Sequence, residues 1–259
     1  MAVSPYTASK GRARHPGPGG IGESVGGAVK TLKPTPGVVA GHLAALPAFR
    51  GLSDEDRERI AAESSLRLYA RGETLFRAGD AAASLVVLVR GSVRVLRARP
   101  DGHDKVVHLL TAPCLVAEVP TLTGEALPAS AVCGEECVVV AIPRTVLVEA
   151  VRRDPELALR ILAAVFDRLQ QLTRALARHG QRGAAARVGA WLLGLARDGD
   201  GGVLPAAKKD VADYLGLKPE SFSRALAVLR EEGAVQVEDD TFRILDRTAL
   251  EAILGDADR

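Results

Sequence analysis

Short apolar segments separated by glycine turns dominate residues 65–143 of the chain. The stretch SLVVLVRGSVRVLRA places two such segments on either side of Gly91, and DGHDKVVHLL begins with an Asp-Gly pair, a frequent hairpin signal. Further turn signals occur at Arg71-Gly72 and at Gly79-Asp80. Strands this short, with turns at roughly eight- to twelve-residue intervals, predict an antiparallel sandwich or barrel.

The longest helical pattern of the chain follows Pro155. Its apolar residues recur at alternating spacings of three and four, which predicts a narrow stripe along one face of a helix. The stripe consists of Leu162, Val165, Leu169, Leu172 and Leu176. Because the flanking segments DRLQQ and RALAR are polar, we favour pairing with the same helix of a second copy. Packing of the stripe on the protein's own sheet is the alternative.

The C-terminal part has the pattern of a winged helix-turn-helix. Two predicted helices, AAKKDVADYLG and KPESFSRALAVLREEG, are joined by a short turn and followed by the alternating hairpin AVQVEDDTFRIL. The whole chain is therefore predicted to be α+β. We expect a disordered tail at 1–38, which holds eight glycines and five prolines, a β-roll at 39–150, a dimerisation helix at 151–183 and a winged helix-turn-helix at 184–259.

The second of these helices has two chemically different faces. Phe222, Leu226 and Leu229 share the face expected to lie in the core, so the polar side chains at the N-terminal end point away from it. Arginine can donate two bonds to guanine, glutamate can accept from cytosine, and serine can serve either role. The candidate base-reading residues are Glu220, Ser223 and Arg224, and the candidate phosphate contacts are Lys208, Lys209 and Lys218. An ordinary solvated helix face is the alternative.

Bulk charge does not favour a general polyanion binder. The net charge is only +2, and residues 184–259 carry 10 Lys/Arg against 14 Asp/Glu, so DNA binding must rest on local placement. No nucleophile-base-acid set, P-loop, G-x-G-x-x-G or zinc spacing occurs, so we expect neither an enzyme nor a metal site. No apolar run reaches the roughly 20 residues of a membrane span, and a cytoplasmic protein is expected.

Three stretches resemble the CRP/FNR superfamily of bacterial transcription regulators: LPAFRGLSDEDRERIA, RGETLFRAGDAAASLVVLVRGSVRVLR and DVADYLGLKPESFSRALAVLREEGAV. The resemblance implies a cyclic-nucleotide-binding-like β-roll and a homodimer on pseudo-palindromic double-stranded DNA, with RNA polymerase as a partner if the protein activates. Glu220, Ser223 and Arg224 match the E-x-x-S-R pattern of the FNR-type branch, which implies half-sites resembling TTGAT. A non-DNA-binding ligand or signalling module built on the same β-roll remains the rival interpretation.

The signal sensed by the β-roll is not expected to be a cyclic nucleotide. In members of the superfamily that bind one, a Gly-Glu pair begins the phosphate cassette and Arg-Ser/Thr-Ala ends it. Here Glu118 matches the glutamate, but Ala117 replaces the glycine and Ala129 stands before Ser130 where the arginine belongs. Without a cation the cyclic phosphate loses charge-assisted bonds worth about 1.5 to 3 kcal/mol each.

Cysteines and histidines are the remaining candidates for a sensor. Residues 1–113 contain no cysteine, so an FNR-type iron-sulfur cluster is not expected. Cys133 and Cys137 are either structural thiols or a redox pair. The segment AEVPTLTGEALPASA resembles the dissimilatory nitrate respiration regulators, some of which sense nitric oxide through haem. His108 and His42 are the candidate axial ligands if this chain binds haem.

Overall fold

Two of the described elements begin within the stretch expected to be a disordered tail. A computed structural model describes residues 30–32, 36–99, 102–179, 183–196 and 199–256. Residues 1–29 lie outside the described residues, but strand β1 spans Lys30–Leu32 and helix α1 begins at Pro36. β1 pairs antiparallel with the next strand, and α1 buries Val39 and Leu43. Folded elements therefore occur before residue 38, because edge pairing and apolar burial offset the ordering entropy of this segment.

Short strands form the β-roll, as the turn pattern predicted. After β1 they are β2 Ser65–Tyr69, β3 Thr74–Phe76, β4 Ser84–Arg90, β5 Ser92–Ala98, β6 Asp104–Thr111, β7 Cys114–Val116, β8 Ser130–Cys133 and β9 Cys137–Pro143. Their order is β1-β2-β9-β4-β7 in one sheet and β3-β8-β5-β6 in the other, with antiparallel pairing throughout. The antiparallel two-sheet prediction is confirmed.

Gly91 makes the hinge between β4 and β5. Its φ of 96° lies in the left-handed region, and an added Cβ would approach the carbonyl oxygen of Glu136 to 2.5 Å. Both the dihedral angle and the close approach require glycine at this position. The chain can therefore pass from the five-stranded sheet to the four-stranded sheet within one residue.

Short helices cover one side of the five-stranded sheet. They are α1 Pro36–Ala44, α2 Asp54–Glu63, α3 Glu118–Thr123 and α4 Arg144–Arg153, with a 3₁₀ turn at Pro47–Phe49. Ser53 caps α2 because its hydroxyl accepts the backbone N–H of Asp56 at 3.1 Å. Phe49, Ile60 and Leu147 are fully buried in the core between these helices and the sheet.

Helix α5 spans Pro155–His179 and follows α4 directly. Its first turns pack against the roll through Leu157 and Ile161, which are fully buried. Large apolar side chains on another face of the helix are exposed instead. The helix therefore has one face that belongs to the roll and one that faces away from it.

The C-terminal domain has the predicted winged helix-turn-helix order. Its elements are α6 Ala184–Ala196, β10 Gly201–Val203, α7 Lys208–Tyr214, α8 Pro219–Glu231, β11 Val235–Glu238, β12 Thr241–Ile244 and α9 Arg247–Asp256. The three strands form one antiparallel sheet in the order β10-β12-β11, and the turn of the predicted hairpin falls at Asp239-Asp240. Val188, Leu192 and Leu229 lie at the centre of a separate apolar core.

The β-roll and the winged helix touch through β6 and α7. Asp213 accepts a hydrogen bond from Arg99 at 2.9 Å and another from the backbone N–H of Val106 at 2.7 Å. Leu109 of β6 packs against the core of the winged helix. Within the residues that the structure describes, every helix is too short or too polar to span a lipid bilayer.

Candidate nucleic-acid interface

Helix α8 presents the predicted polar residues on its outer face. Phe222 and Leu229 are fully buried and Leu226 nearly so, which anchors the helix on the domain core. The side chains of Glu220, Ser223 and Arg224 are exposed near the N-terminal end. The two predicted faces therefore exist as expected, and Val228 next to Leu229 is exposed.

The turn between α7 and α8 sets the position of this outer face. Gly216 has a φ of 67°, and the backbone N–H of Leu217 donates to the carbonyl oxygen of Ala212 at 2.8 Å. Arg187 of α6 donates to the carbonyl oxygen of Leu215 at 3.2 Å. The left-handed glycine and the arginine hold the two helices at a fixed angle. Pro219 occupies the first turn of α8, where its missing N–H costs no hydrogen bond.

The three lysines that are candidate phosphate contacts lie at the N-terminal ends of α7 and α8, and one of them also faces the β-roll. Lys208 and Lys209 are the first two residues of α7, Lys218 precedes α8, and all three are exposed. Lys209 also lines a cavity between the two domains. Lys208 and Lys218, which do not line this cavity, are therefore the clearer candidates for contacts to DNA phosphates.

The candidate dimer stripe on α5 is shifted from the predicted one. Leu162 and Leu169 are exposed, but Val165 is half-buried because it lies one turn after Ile161 on the side that packs on the roll. Phe166 takes its place on the outer face with 54% of its surface exposed, and Leu159 extends the stripe. The exposed residues at 159, 162, 166 and 169 also alternate in spacings of three and four, so the pattern of the shifted stripe is present in the sequence.

Helix α5 includes Leu172 and Leu176, but the side chains of these two residues are not among those that the structure describes. The stripe defined by described side chains therefore consists of Leu159, Leu162, Phe166 and Leu169. We refer to these four residues as the α5 stripe.

The degenerate cassette has an unusual backbone at the position expected for glycine. Ala117 has φ 61° and ψ 31°, the left-handed conformation that favours glycine. Glu118 follows it in α3 and is buried. Ser130 uses its hydroxyl to accept the backbone N–H of Ala78 at 2.9 Å. The segment from residue 114 to 133 contains no Lys, Arg or His, and Ala129 therefore has no nearby cationic neighbour along this segment.

The thiols of Cys133 and Cys137 lie at the ends of β8 and β9 and are fully buried. Cys137 Sγ donates to the carbonyl oxygen of Ser92 at 3.2 Å. The hydrogen bond with Cys137, together with burial, raises the pKa of the Cys133 thiol, and the same bond lowers the pKa of Cys137. The structure thus brings the two candidate redox residues together.

The two candidate haem ligands lie on different elements. His42 belongs to α1, and His108 belongs to β6 opposite Val95. Within the described residues, no group of three or more His, Cys, Asp or Glu side chains could hold a metal ion.

The fold and the exposed face of α8 together define a class of protein: a β-roll joined by a long helix to a winged helix-turn-helix. Residues 66–154 match the cyclic nucleotide-binding domain family, and residues 186–253 match the Crp-like helix-turn-helix domain family. The chain belongs to the CRP/FNR family of DNA-binding transcription regulators. This membership confirms the predicted class, a transcription regulator rather than an enzyme.

Relatives match along most of their length. The nitrogen fixation regulation protein FixK of Azorhizobium caulinodans is 32% identical over 78% of this chain and 85% of its own. The cyclic AMP receptor protein of Thermus thermophilus is 30% identical over 80% of this chain and 96% of its own. The crystal structure of a Ruegeria pomeroyi protein described as cyclic nucleotide binding has a TM-score of 0.61 at 31% identity, and covers 85% of this chain and 98% of that one.

Proposed function

We propose that the protein is a homodimeric regulator that uses α8 to read a pseudo-palindromic DNA site with half-sites resembling TTGAT. The observation that carries this proposal is the separation of faces on α8. Three polar side chains, Glu220, Ser223 and Arg224, are exposed near its N-terminal end, while Phe222 and Leu229 anchor the opposite face. A recognition helix enters the major groove in this way, with its N-terminal residues at the base edges.

Each of the three residues offers a different contact to a base. The guanidinium of Arg224 suits guanine O6 and N7, the carboxylate of Glu220 can accept from cytosine N4, and the hydroxyl of Ser223 can donate or accept. Arg224 Nε lies 3.4 Å from the carbonyl oxygen of Glu220, a weak bond that a guanine can replace. Lys208 and Lys218 would contact the phosphate backbone and fix the register of the domain on the DNA.

The homodimer is supported by the α5 stripe. Exposed large apolar residues at coiled-coil spacing are expected to pair with the same helix of a second copy. Pairing two α5 helices would set the separation of the two α8 helices, which must match half-sites about one helical turn apart.

We propose that the controlling signal is not a cyclic nucleotide. Ala117, Ala129 and the absence of a cation in residues 114–133 remove the groups that would bind the cyclic phosphate. A signal in the β-roll would shift the packing of α5 and so change the fit of the two α8 helices to DNA. If the bound protein activates transcription, RNA polymerase is its further partner.

Fluorescence anisotropy with two labelled duplexes tests the DNA-binding function. One duplex carries two TTGAT half-sites in inverted orientation, and the other carries the same bases in scrambled order. We expect binding to the palindrome to be at least about tenfold tighter at one fixed salt concentration, with a stoichiometry of two chains per duplex. Equal affinity for both duplexes would contradict the proposed half-site.

A further inference from the structure

A cavity lies where the β-roll meets the winged helix. Its volume is about 180 Å³, and both domains contribute to its wall. The lining residues that matter here are Arg71, Arg94 and Gly134 from the roll and Ala206, Lys209 and Asp210 from the winged helix. It is distinct from the outer face of α8 and from the cassette between β7 and β8.

The charge of the lining favours an anion. Arg71, Arg94 and Lys209 are cationic, and Asp210 is the carboxylate among these lining residues. Asp210 is paired with Arg94 at 2.7 Å. Three cations against one carboxylate leave an excess of positive charge in a recess between two protein surfaces, where charge interactions are stronger than in bulk water.

Arg94 has a donor that no described residue satisfies. Its Nη1 donates to Asp210, but its Nε is buried and has no acceptor among the residues that the structure describes. A buried N–H without an acceptor is costly, and a small rotation of the Arg94 guanidinium toward the cavity would let a bound anion supply one. Lys209 and Arg71 would then contribute charge from opposite walls.

Direct contact between the domains closes one side of the cavity. An added Cβ on Gly134 would approach the carbonyl oxygen of Pro205 to 3.0 Å and Ser92 Oγ to 2.8 Å. The roll and the winged helix therefore meet at Gly134 without room for a larger side chain. A ligand in the cavity would touch both domains at once.

The size of the cavity limits the ligand to a small one. Pockets for drug-sized molecules usually measure about 300 to 1,000 Å³, well above the volume here. We propose that this cavity binds a small oxyanion of the phosphate class, held by Arg71, Arg94 and Lys209. Because these residues come from both domains, the bound anion stabilises the contact of α7 with the roll.

Calorimetric titration of the full-length protein with inorganic phosphate tests the site, with chloride used to keep ionic strength constant. We expect saturable binding to the wild type and about tenfold weaker binding to Arg71→Ala, because one charge-assisted contact is lost. Arg77→Ala is the matched control, since Arg77 is an exposed arginine of the same roll that does not line the cavity. It should bind phosphate as the wild type does.

Arg94→Lys tests the unsatisfied donor itself. Lysine keeps a cation beside Asp210 but has no Nε–H, so phosphate affinity should fall about tenfold while thermal unfolding shows a folded protein. Absence of saturable binding to the wild type, or equal affinity in the wild type, Arg71→Ala and Arg94→Lys, would overturn the assignment. The titration contains no DNA, so its failure would leave the proposed DNA site to be judged by the anisotropy measurement.

Discussion

Arg224 occupies the position on α8 where a single side chain can determine sequence preference. It is exposed one turn after Glu220, and its backbone is held by the buried neighbour Ala225. Arg224→Ala should cost about 1 to 3 kcal/mol on the palindrome and relax the preference at one base pair, because a bidentate base contact is lost. Anisotropy titrations on single-base variants of the palindrome measure this loss.

Lys218→Ala is the companion change at the same end of the helix. Lysine contacts to phosphate carry no base information, so binding to the palindrome and to the scrambled duplex should weaken by the same factor. The slope of the logarithm of the binding constant against the logarithm of the salt concentration should also become shallower by about one. If Arg224→Ala produced this uniform loss instead, its assignment to a base would be wrong.

Ala117 shows backbone strain at a single residue of the degenerate cassette. An L-residue in the left-handed region costs about 1 to 2 kcal/mol, and glycine avoids this cost while losing about 0.5 to 1 kcal/mol in chain entropy. Ala117→Gly should therefore stabilise the β-roll by about 0.5 to 1 kcal/mol. Chemical denaturation monitored by circular dichroism measures the change in the free energy of unfolding.

Ala70→Gly provides the control for this substitution. Ala70 is exposed in the loop after β2, and its φ is not positive. Glycine there adds only freedom to the unfolded chain, so stability should fall slightly. A destabilising effect of similar size at Ala117 would show that the left-handed conformation carries no relievable strain.

At the scale of elements, α5 combines two packing roles in one helix. Leu157 and Ile161 fix it to the roll, and the α5 stripe faces away. Phe166→Lys should convert the proposed dimer to a monomer at micromolar concentration and weaken DNA binding, because a charge would be buried at the centre of the helix pair. Analytical ultracentrifugation measures the mass in solution.

Asp167→Lys introduces the same side chain at the next residue, which is exposed but points away from the stripe. This variant should remain a dimer with unchanged affinity for the palindrome. A wild-type protein that is already monomeric with and without DNA would contradict the proposed assembly.

In the whole molecule, Asp213 is one of the residues that join the winged helix to the roll. Its two carboxylate oxygens accept from Arg99 and from the backbone N–H of Val106, which joins α7 to the β5–β6 hairpin. In Asp213→Ala the Val106 amide should exchange its hydrogen about tenfold faster, because its charged acceptor is gone. Hydrogen exchange with mass spectrometry resolves this segment.

Asp104→Ala removes an exposed carboxylate from the same hairpin and leaves Arg99, Val106 and Asp213 unchanged. Exchange at Val106 should remain at the wild-type rate in this control. Slow exchange in both variants would mean that the amide is protected by the hairpin alone.

The strands of the roll and the buried and exposed faces of α8 follow from the sequence alone. Alternating apolar residues and glycine turns specified the antiparallel roll, and the spacing of Phe222, Leu226 and Leu229 specified which face of α8 is buried. The sequence also indicated the candidate base-reading residues Glu220, Ser223 and Arg224. These features follow from periodicity and turn chemistry, which act between residues close in the chain.

How the elements pack against one another depends on contacts between residues far apart in the chain. Packing of α5 on the roll turns Val165 partly inward and leaves Phe166 exposed. The face of α5 that remains for a partner is therefore set by the face that packs on the roll. The tertiary structure also pairs Arg94 with Asp210, 116 positions apart, and so forms the cavity beside Lys209. Contacts between distant residues leave no period in the sequence, because the approach of two complete domains creates them.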